Sequence, residues 1–446
     1  LKNLTEHFVN GLYDLAHTPL PEEVISQAKQ CVLDYIGVTI AGASILQRKS
    51  STALENINST GELTLIGLPH KASILEAILF NGIHSHVVEL DDGHRAAMMH
   101  PGAPLLSALF SVAEQRKISG EDFIKGVVLG YESSIRLAKA LQPSLKQKGF
   151  HGTGIAGTIG VAVAIATALH FDKKQFKDAV SAATTSASGI LKVIKDTSEL
   201  KPYNVGNAAQ SGYTAAMLAL SGFSGPIDSF EGKLGFLSMM SDNIREEYLN
   251  VENNGVWEIL KIYRKPYAAC RHCHSPIEAA LILKETHRLD FRQIKSVSVE
   301  TYSLAVAGHE HTEIVSVNSA KMSTPYSVAV ALVSGDAGLS EFSAERIAES
   351  DVLALAKKVR VTDSEELSAL VPEKRAAIVQ IEMLSGEKFS QRVDYPKGEP
   401  ENNISDEELV YKFERLLGFA GNKNAKQLID IIHNLEKDLS KIFQYL

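Results

Sequence analysis

The chain has 446 residues, 45% hydrophobic and 22% charged, with 45 lysines and arginines against 53 aspartates and glutamates and a formal net charge of −8. This length exceeds one ordinary core and predicts two domains, and the acidic balance excludes the basic footprint of a nucleic-acid or anionic-membrane binder. Three cysteines (Cys31, Cys270, Cys273) exclude a disulfide framework and suit a reducing compartment.

No stretch reaches the roughly 18 apolar residues of a membrane-spanning helix, and residues 1–6 read as an amphipathic helix start, not a signal sequence. A soluble, cytoplasmic protein is expected. From residue 4 to about 250 the pattern is helix after helix. Leu4, Phe8, Leu12 and Leu15 fall at helical spacing. Pro21, Glu22 and Glu23 make a favourable first turn, because proline lacks an N–H that would go unmet there and acids suit the positive helix end. The run 24–41 is apolar on most faces, as in a buried helix. Ser119 caps a helix over 123–141. The Gly-rich segment 152–160 has no strand before it and no βαβ rhythm around it, so it predicts close helix–helix contacts and not a dinucleotide fingerprint.

Strand signals begin only after Trp257: period-two alternation at 294–302, a β-branched triplet at 359–361, and a hairpin over 378–384 and 389–393. Helical stretches at 275–289 and 326–332 lie between them. Past the breaker cluster 396–400, residues 406–417 and 426–443 return to helix. The expected fold is mainly α: a large all-helical domain formed by both chain ends (1–253 and 399–446) with an inserted smaller α+β domain (254–398) carrying an antiparallel sheet.

The stretch 88–104 concentrates chemistry. Glu89, Asp91, Asp92, His94, Arg95 and His100 stand beside glycine and proline, between helical patterns at 74–88 and 105–114. His151 precedes the Gly-rich segment. Lys201 stands before Pro202 at the mouth of an Ala-rich helix, where anions are favoured. Lys265 and Arg271 flank a turn holding Cys270, His272, Cys273 and His274. A lone Cys-x-x-Cys with no partner pair is a poor structural zinc site, whereas guanidinium pairs bidentately with carboxylate, so Arg271 and Lys265 read as carboxylate binders. His84, His86 and His94 read as structural or solvent-facing. With no hydrolase elbow, phosphate loop or cofactor motif, this inventory suits proton abstraction beside a carboxylate, with cations stabilising the enolate-like charge.

The order of these motifs resembles the MmgE/PrpD family: Asp34-Tyr35-Ile36-Gly37, Asp91-Asp92, His100-Pro101-Gly102, Phe150-His151-Gly152-Thr153, Lys201-Pro202, Cys270-Arg271-x-x-His274-x-Pro276 and Ser323-Thr324-Pro325-Tyr326. The resemblance spans nearly the whole chain. It implies a cleft between the two domains, homodimers, and chemistry on small di- or tricarboxylates with no metal or other cofactor. It nominates His100, His151, Lys201, His274 and Tyr326 as catalytic and Glu89, Asp91, Lys265 and Arg271 as substrate-binding.

In the implied mechanism, Lys201, Arg271 and Lys265 hold carboxylates while His100 or His151 removes an α-proton. The second histidine or Tyr326 returns one. Expulsion of a leaving group makes a lyase of the 2-methylcitrate or cis-aconitate type, and return on the opposite face makes an epimerase of the iminodisuccinate type. A non-catalytic carboxylate-binding protein is the alternative from another class. Two segments depart from known branches: Met98-Met99 precede His100 where the dehydratases carry Trp-Gly, and Gly93 follows the paired aspartates where the decarboxylases carry threonine.

Overall fold

The computed structural model describes residues 3–194, 198–252 and 255–446. The chain divides into two compact units, Leu1–Ile262 with Ser405–Leu446, and Tyr263–Ile404. The boundary expected at 253/254 lies outside the described residues, as do Leu1 and Lys2 of the expected helix start.

Both limits differ from expectation for local reasons. Residues 255–262 stay with the first unit because Glu258 takes Lys139 at 2.9 Å while its own N–H donates to Glu132. Residues 399–404 stay with the second, where Glu399 binds Arg271 at 2.7 Å and Asn402 donates to Glu278 at 3.1 Å.

The first unit is helical. In chain order it contains α1 (Leu4–Ala16), α2 (Glu22–Asn56), α3 (Ile74–Val87), α4 (Gly102–Arg116), α5 (Gly120–Leu141), α6 (Gly152–Ala168), α7 (Lys173–Ser186) and α8 (Lys201–Leu220). The caps follow from the sequence: the Ser119 hydroxyl accepts the Asp122 N–H at 3.1 Å, and Asp172 forms a capping box with Gln175.

Every residue of α6 is buried. Its glycines and alanines let α4, α5, α7 and α8 close around it, and each buried valine or isoleucine contributes about 1.5–3 kcal/mol. The Gly-rich segment is thus the first half of a core helix. α8 begins at Lys201, earlier than the Ala-rich run suggests, and Pro202 occupies its first turn. Among the described residues no helix is long and apolar enough to cross a membrane.

The second unit holds a four-stranded sheet of β1 (Ile294–Thr301), β2 (Val359–Asp363), β3 (Ala377–Met383) and β4 (Lys388–Val393), in the order β2-β1-β3-β4. β1–β3 and β3–β4 pair antiparallel, but β1 and β2 pair parallel, with Val297 opposite Val359. The sheet is therefore mixed and not wholly antiparallel. A parallel pair needs a crossover, and the long connection from 302 to 358 supplies it. The helices α9 (His274–His287) and α10 (Thr324–Ser334) pack on the strands.

Candidate active site

Close approach of two helices sets the frame. A Cβ on Gly82 of α3 would lie 2.6 Å from the Gly206 Cα of α8, so only a hydrogen at this position permits the contact. The contact brings the C-terminal end of α3, and the loop that follows, to the N-terminus of α8. Glu89 in that loop has a left-handed backbone (φ 58°) that is uncommon outside glycine. Its carboxylate forms an ion pair with Lys201, the first residue of α8.

Asp92 ties the loop to α4 and α5. Its carboxyl accepts the Gly102 N–H at 3.1 Å and the Tyr131 hydroxyl at 2.5 Å. A Cβ on Gly102 would strike that hydroxyl at 2.4 Å, which explains glycine after His100-Pro101. Burial, with smaller contributions from Asp34 and Asp91, pushes the Asp92 carboxyl up to about 7. Lys412, on the C-terminal helix Asp406–Phe419, donates to the Leu90 carbonyl at 2.8 Å and pairs with Asp34 at 2.6 Å.

Three imidazoles converge on this frame. His100 donates from Nδ1 to the Asp92 carbonyl at 2.6 Å, while its N–H donates to Thr153 at 3.0 Å. That bond places the proton of the neutral ring on Nδ1, so a second proton would bind at Nε2. His151, N-cap of α6, has the opposite arrangement. The Asn204 amide, oriented by donating to the Ile190 carbonyl at 3.2 Å, also donates to His151 Nδ1 at 3.4 Å. Nε2 therefore carries the proton. Burial, and to a smaller extent the proximity of His86, Lys201 and His100, holds the His151 ring well below its ordinary value, so the neutral form is favoured.

The third ring is His86. It is fully buried, donates from Nδ1 to Asp91 at 2.7 Å, and lies 5.1 Å from the His100 ring and 5.9 Å from that of His151.

The other two histidines of the stretch serve structure. His84 meets Ser50 at 2.8 Å and is pushed down to about 3 by burial. His94 closes the loop on itself, accepting the Ala97 N–H at Nδ1 (3.1 Å), with Nε2 3.4 Å from Glu258.

In the second unit, Arg271 is already engaged. Its guanidinium binds Glu399 through Nε and Nη2 (3.2 and 2.7 Å), donates to His274 Nδ1 at 2.8 Å and stacks 4.4 Å over Tyr263. His274 donates from Nε2 to the Ala269 carbonyl at 3.1 Å, so its ring orients the arginine. Lys265 is fully buried, and it and Arg375 lie near Tyr263 with the Arg271–Glu399 pair.

Tyr326 stands elsewhere, on α10. Its hydroxyl donates to the Glu341 carbonyl at 2.8 Å, its ring packs on Phe342, and burial raises its pKa above the ordinary tyrosine value. Cys270 and Cys273 are not joined in a disulfide, and Cys273 Sγ lies 3.5 Å from the Thr324 hydroxyl.

The N-terminal domain model of the MmgE/PrpD family matches residues 6–248, and the C-terminal domain model matches 267–437. The chain belongs to the MmgE/PrpD family. Among its family relatives, cis-aconitate decarboxylase of Aspergillus terreus is 28% identical over 477 residues, covering 99% of this chain and 96% of the relative. The Homo sapiens cis-aconitate decarboxylase is 24% identical over 460 residues, covering 98% and 92%. A cis-aconitate decarboxylase-like protein of Aspergillus oryzae is 27% identical over 439 residues, covering 93% and 90%. Membership makes this chain an enzyme of MmgE/PrpD type.

Of the nine residues nominated from sequence, the first unit thus brings together Glu89, Asp91, His100, His151 and Lys201. The second groups Lys265, Arg271 and His274, while the Tyr326 side chain engages Glu341 and Phe342. The sequence reads His86 as structural or solvent-facing, and the structure sets its ring beside those of His100 and His151. The signal that could have marked it was an acid five residues on, Asp91, across a turn where a helix ends.

Proposed function

We propose that this MmgE/PrpD enzyme is a lyase that transfers a proton at a carbon beside a carboxylate of a small tricarboxylate, in the manner of a cis-aconitate decarboxylase. The observation that carries the reading is the opposed anchoring of two neighbouring imidazoles: His100 held at Nδ1 by a carbonyl, and His151 held at Nδ1 by an amide donor.

His100, beside the Asp91 carboxylate at 3.5 Å, is the proton carrier. His151 remains neutral and donates from Nε2 to the negative charge that develops on the substrate, as a fixed dipole in a water-poor site. Lys201, partly neutralised by Glu89, draws a substrate carboxylate to the head of α8. In the reaction the carbon–carboxylate bond breaks and carbon dioxide leaves. The bonding pair stays on the substrate and takes the proton from His100 Nε2. Solvent then reprotonates the neutral ring. The chemistry assigned to these side chains requires no metal or organic cofactor.

The test is incubation with cis-aconitate in D₂O, followed by ¹H and ¹³C NMR. Release of carbon dioxide with one deuterium entering the product is expected. Deuterium exchange without net conversion, on cis-aconitate or iminodisuccinate, would replace the lyase with an epimerase. Binding without turnover or exchange, with 2-methylcitrate also unchanged, would sink the enzymatic reading of this site.

A further inference from the structure

Asp91 serves two imidazoles with one oxygen. Its Oδ2 lies 2.7 Å from Nδ1 of His86 and 3.5 Å from Nδ1 of His100. His86 has no exposed surface, and its Nε2 finds no hydrogen-bond partner among the described residues. A buried polar atom left in this state is costly, and such atoms are retained where they have a task. The three rings, 5.1 and 5.9 Å apart through His86, are too close to carry charge together without mutual repulsion.

We propose that His86 is a positioning residue of this site, one that sets how much of the Asp91 charge remains to support a proton on His100. This rests on the reading of His100 as the proton carrier. While His86 is neutral, it gives Asp91 only a dipole, and the carboxylate keeps its charge for an imidazolium at His100. When His86 takes a proton at Nε2, it claims that charge and opposes a proton on either neighbouring ring.

The titratable groups beside it are Asp91 at 2.7 Å and the rings of His100 and His151; in the same loop stand Glu89, paired with Lys201, and Asp92, whose carboxyl burial pushes up to about 7. α2, which also packs on α3, carries Asp34, already paired with Lys412 at 2.6 Å.

His86→Asn keeps an N–H close to the position of Nδ1 but cannot be charged. With the competing cation gone, His100 should hold its proton to higher pH. The basic limb of the kcat profile is expected to move up by about one pH unit, with KM for cis-aconitate within about twofold of the parent. An unmoved limb in a folded variant would overturn the proposal and make His86 a core residue.

If His86→Asn fails to fold, NMR of ¹⁵N-histidine-labelled parent protein and of His100→Asn decides the matter without any substrate. The His86 titration should move to higher pH when position 100 can no longer be charged. A His86 curve indifferent to that substitution overturns the coupling. Should coupling be seen but no substrate turn over, the proposed activity falls while the coupling stands.

Discussion

The imidazole of His100 donates from Nδ1 to the main-chain carbonyl of Asp92, 2.6 Å away, so a peptide group of the loop fixes which ring nitrogen carries the proton of the neutral form. His100→Gln should therefore lose about 10²–10⁴-fold in kcat, the usual worth of a positioned acid–base group. KM should change little, because no substrate carboxylate is assigned to this ring. Steady-state kinetics by NMR or absorbance checks the split.

His151 is anchored the opposite way, its Nδ1 accepting from the Asn204 amide. Burial holds this ring well below its ordinary value, which favours the neutral form. His151→Gln, which keeps an N–H near Nε2, should retain markedly more activity than His151→Phe. Neither should move the limb that His100 governs, and a pH–rate profile of each variant tests both points.

Lys201 and Glu89 are largely buried as a pair, so removing one leaves the other's charge stranded. Lys201→Ala should lower stability by about 1–3 kcal/mol and raise KM at least about tenfold. Adding Glu89→Gln should restore much of the melting temperature but none of the substrate affinity. Thermal unfolding beside KM measurements distinguishes these effects.

Asp92 makes a prediction about stability and pH. Its carboxyl lies near 7 in the folded protein against 3.8 as the ordinary value, so the folded state binds more protons between those two limits. The contribution is fully present below about pH 4 and is lost as pH rises through about 7, on the order of a few kcal/mol. Asp92→Asn should flatten this part of the stability curve. Urea unfolding of both proteins at pH 5 and pH 8 reads the difference directly.

Gly82→Ala places a methyl group against the Gly206 backbone. The two helices must then separate, at a cost of about 1–3 kcal/mol. Because α8 carries Lys201, KM should rise together with the loss of stability. Activity that survives at the parental KM would show that the helix contact does not position the lysine.

Much of this was legible in the sequence. Hydrophobic periodicity located the helices, and alternation at 294–302 located β1. The charged loop after α3 marked a candidate site because polar residues crowded between two apolar helix ends. What was not legible depended on partners far away in the chain. The parallel pairing of β1 with β2 is invisible to local alternation. The helical start at Lys201 was hidden because Asn204 and Gly206 are poor helix formers, and only packing against α3 overrides that. His86 looked like any histidine on an apolar helix, since only three-dimensional geometry sets its ring between His100 and His151. The engagement of Arg271 by Glu399 spans 128 residues and had no local sign.

The bond from Lys412 to the Leu90 carbonyl joins residues 322 positions apart. During synthesis, the loop bearing Glu89, Asp91 and His100 leaves the ribosome long before the lysine that secures it. The second unit emerges in between. A nascent chain therefore holds this loop through Asp92 and Glu89, and not yet at Leu90, until the helix of Lys412 appears, and a message truncated before residue 412 would yield a protein with every proposed catalytic side chain but without the clasp on Leu90.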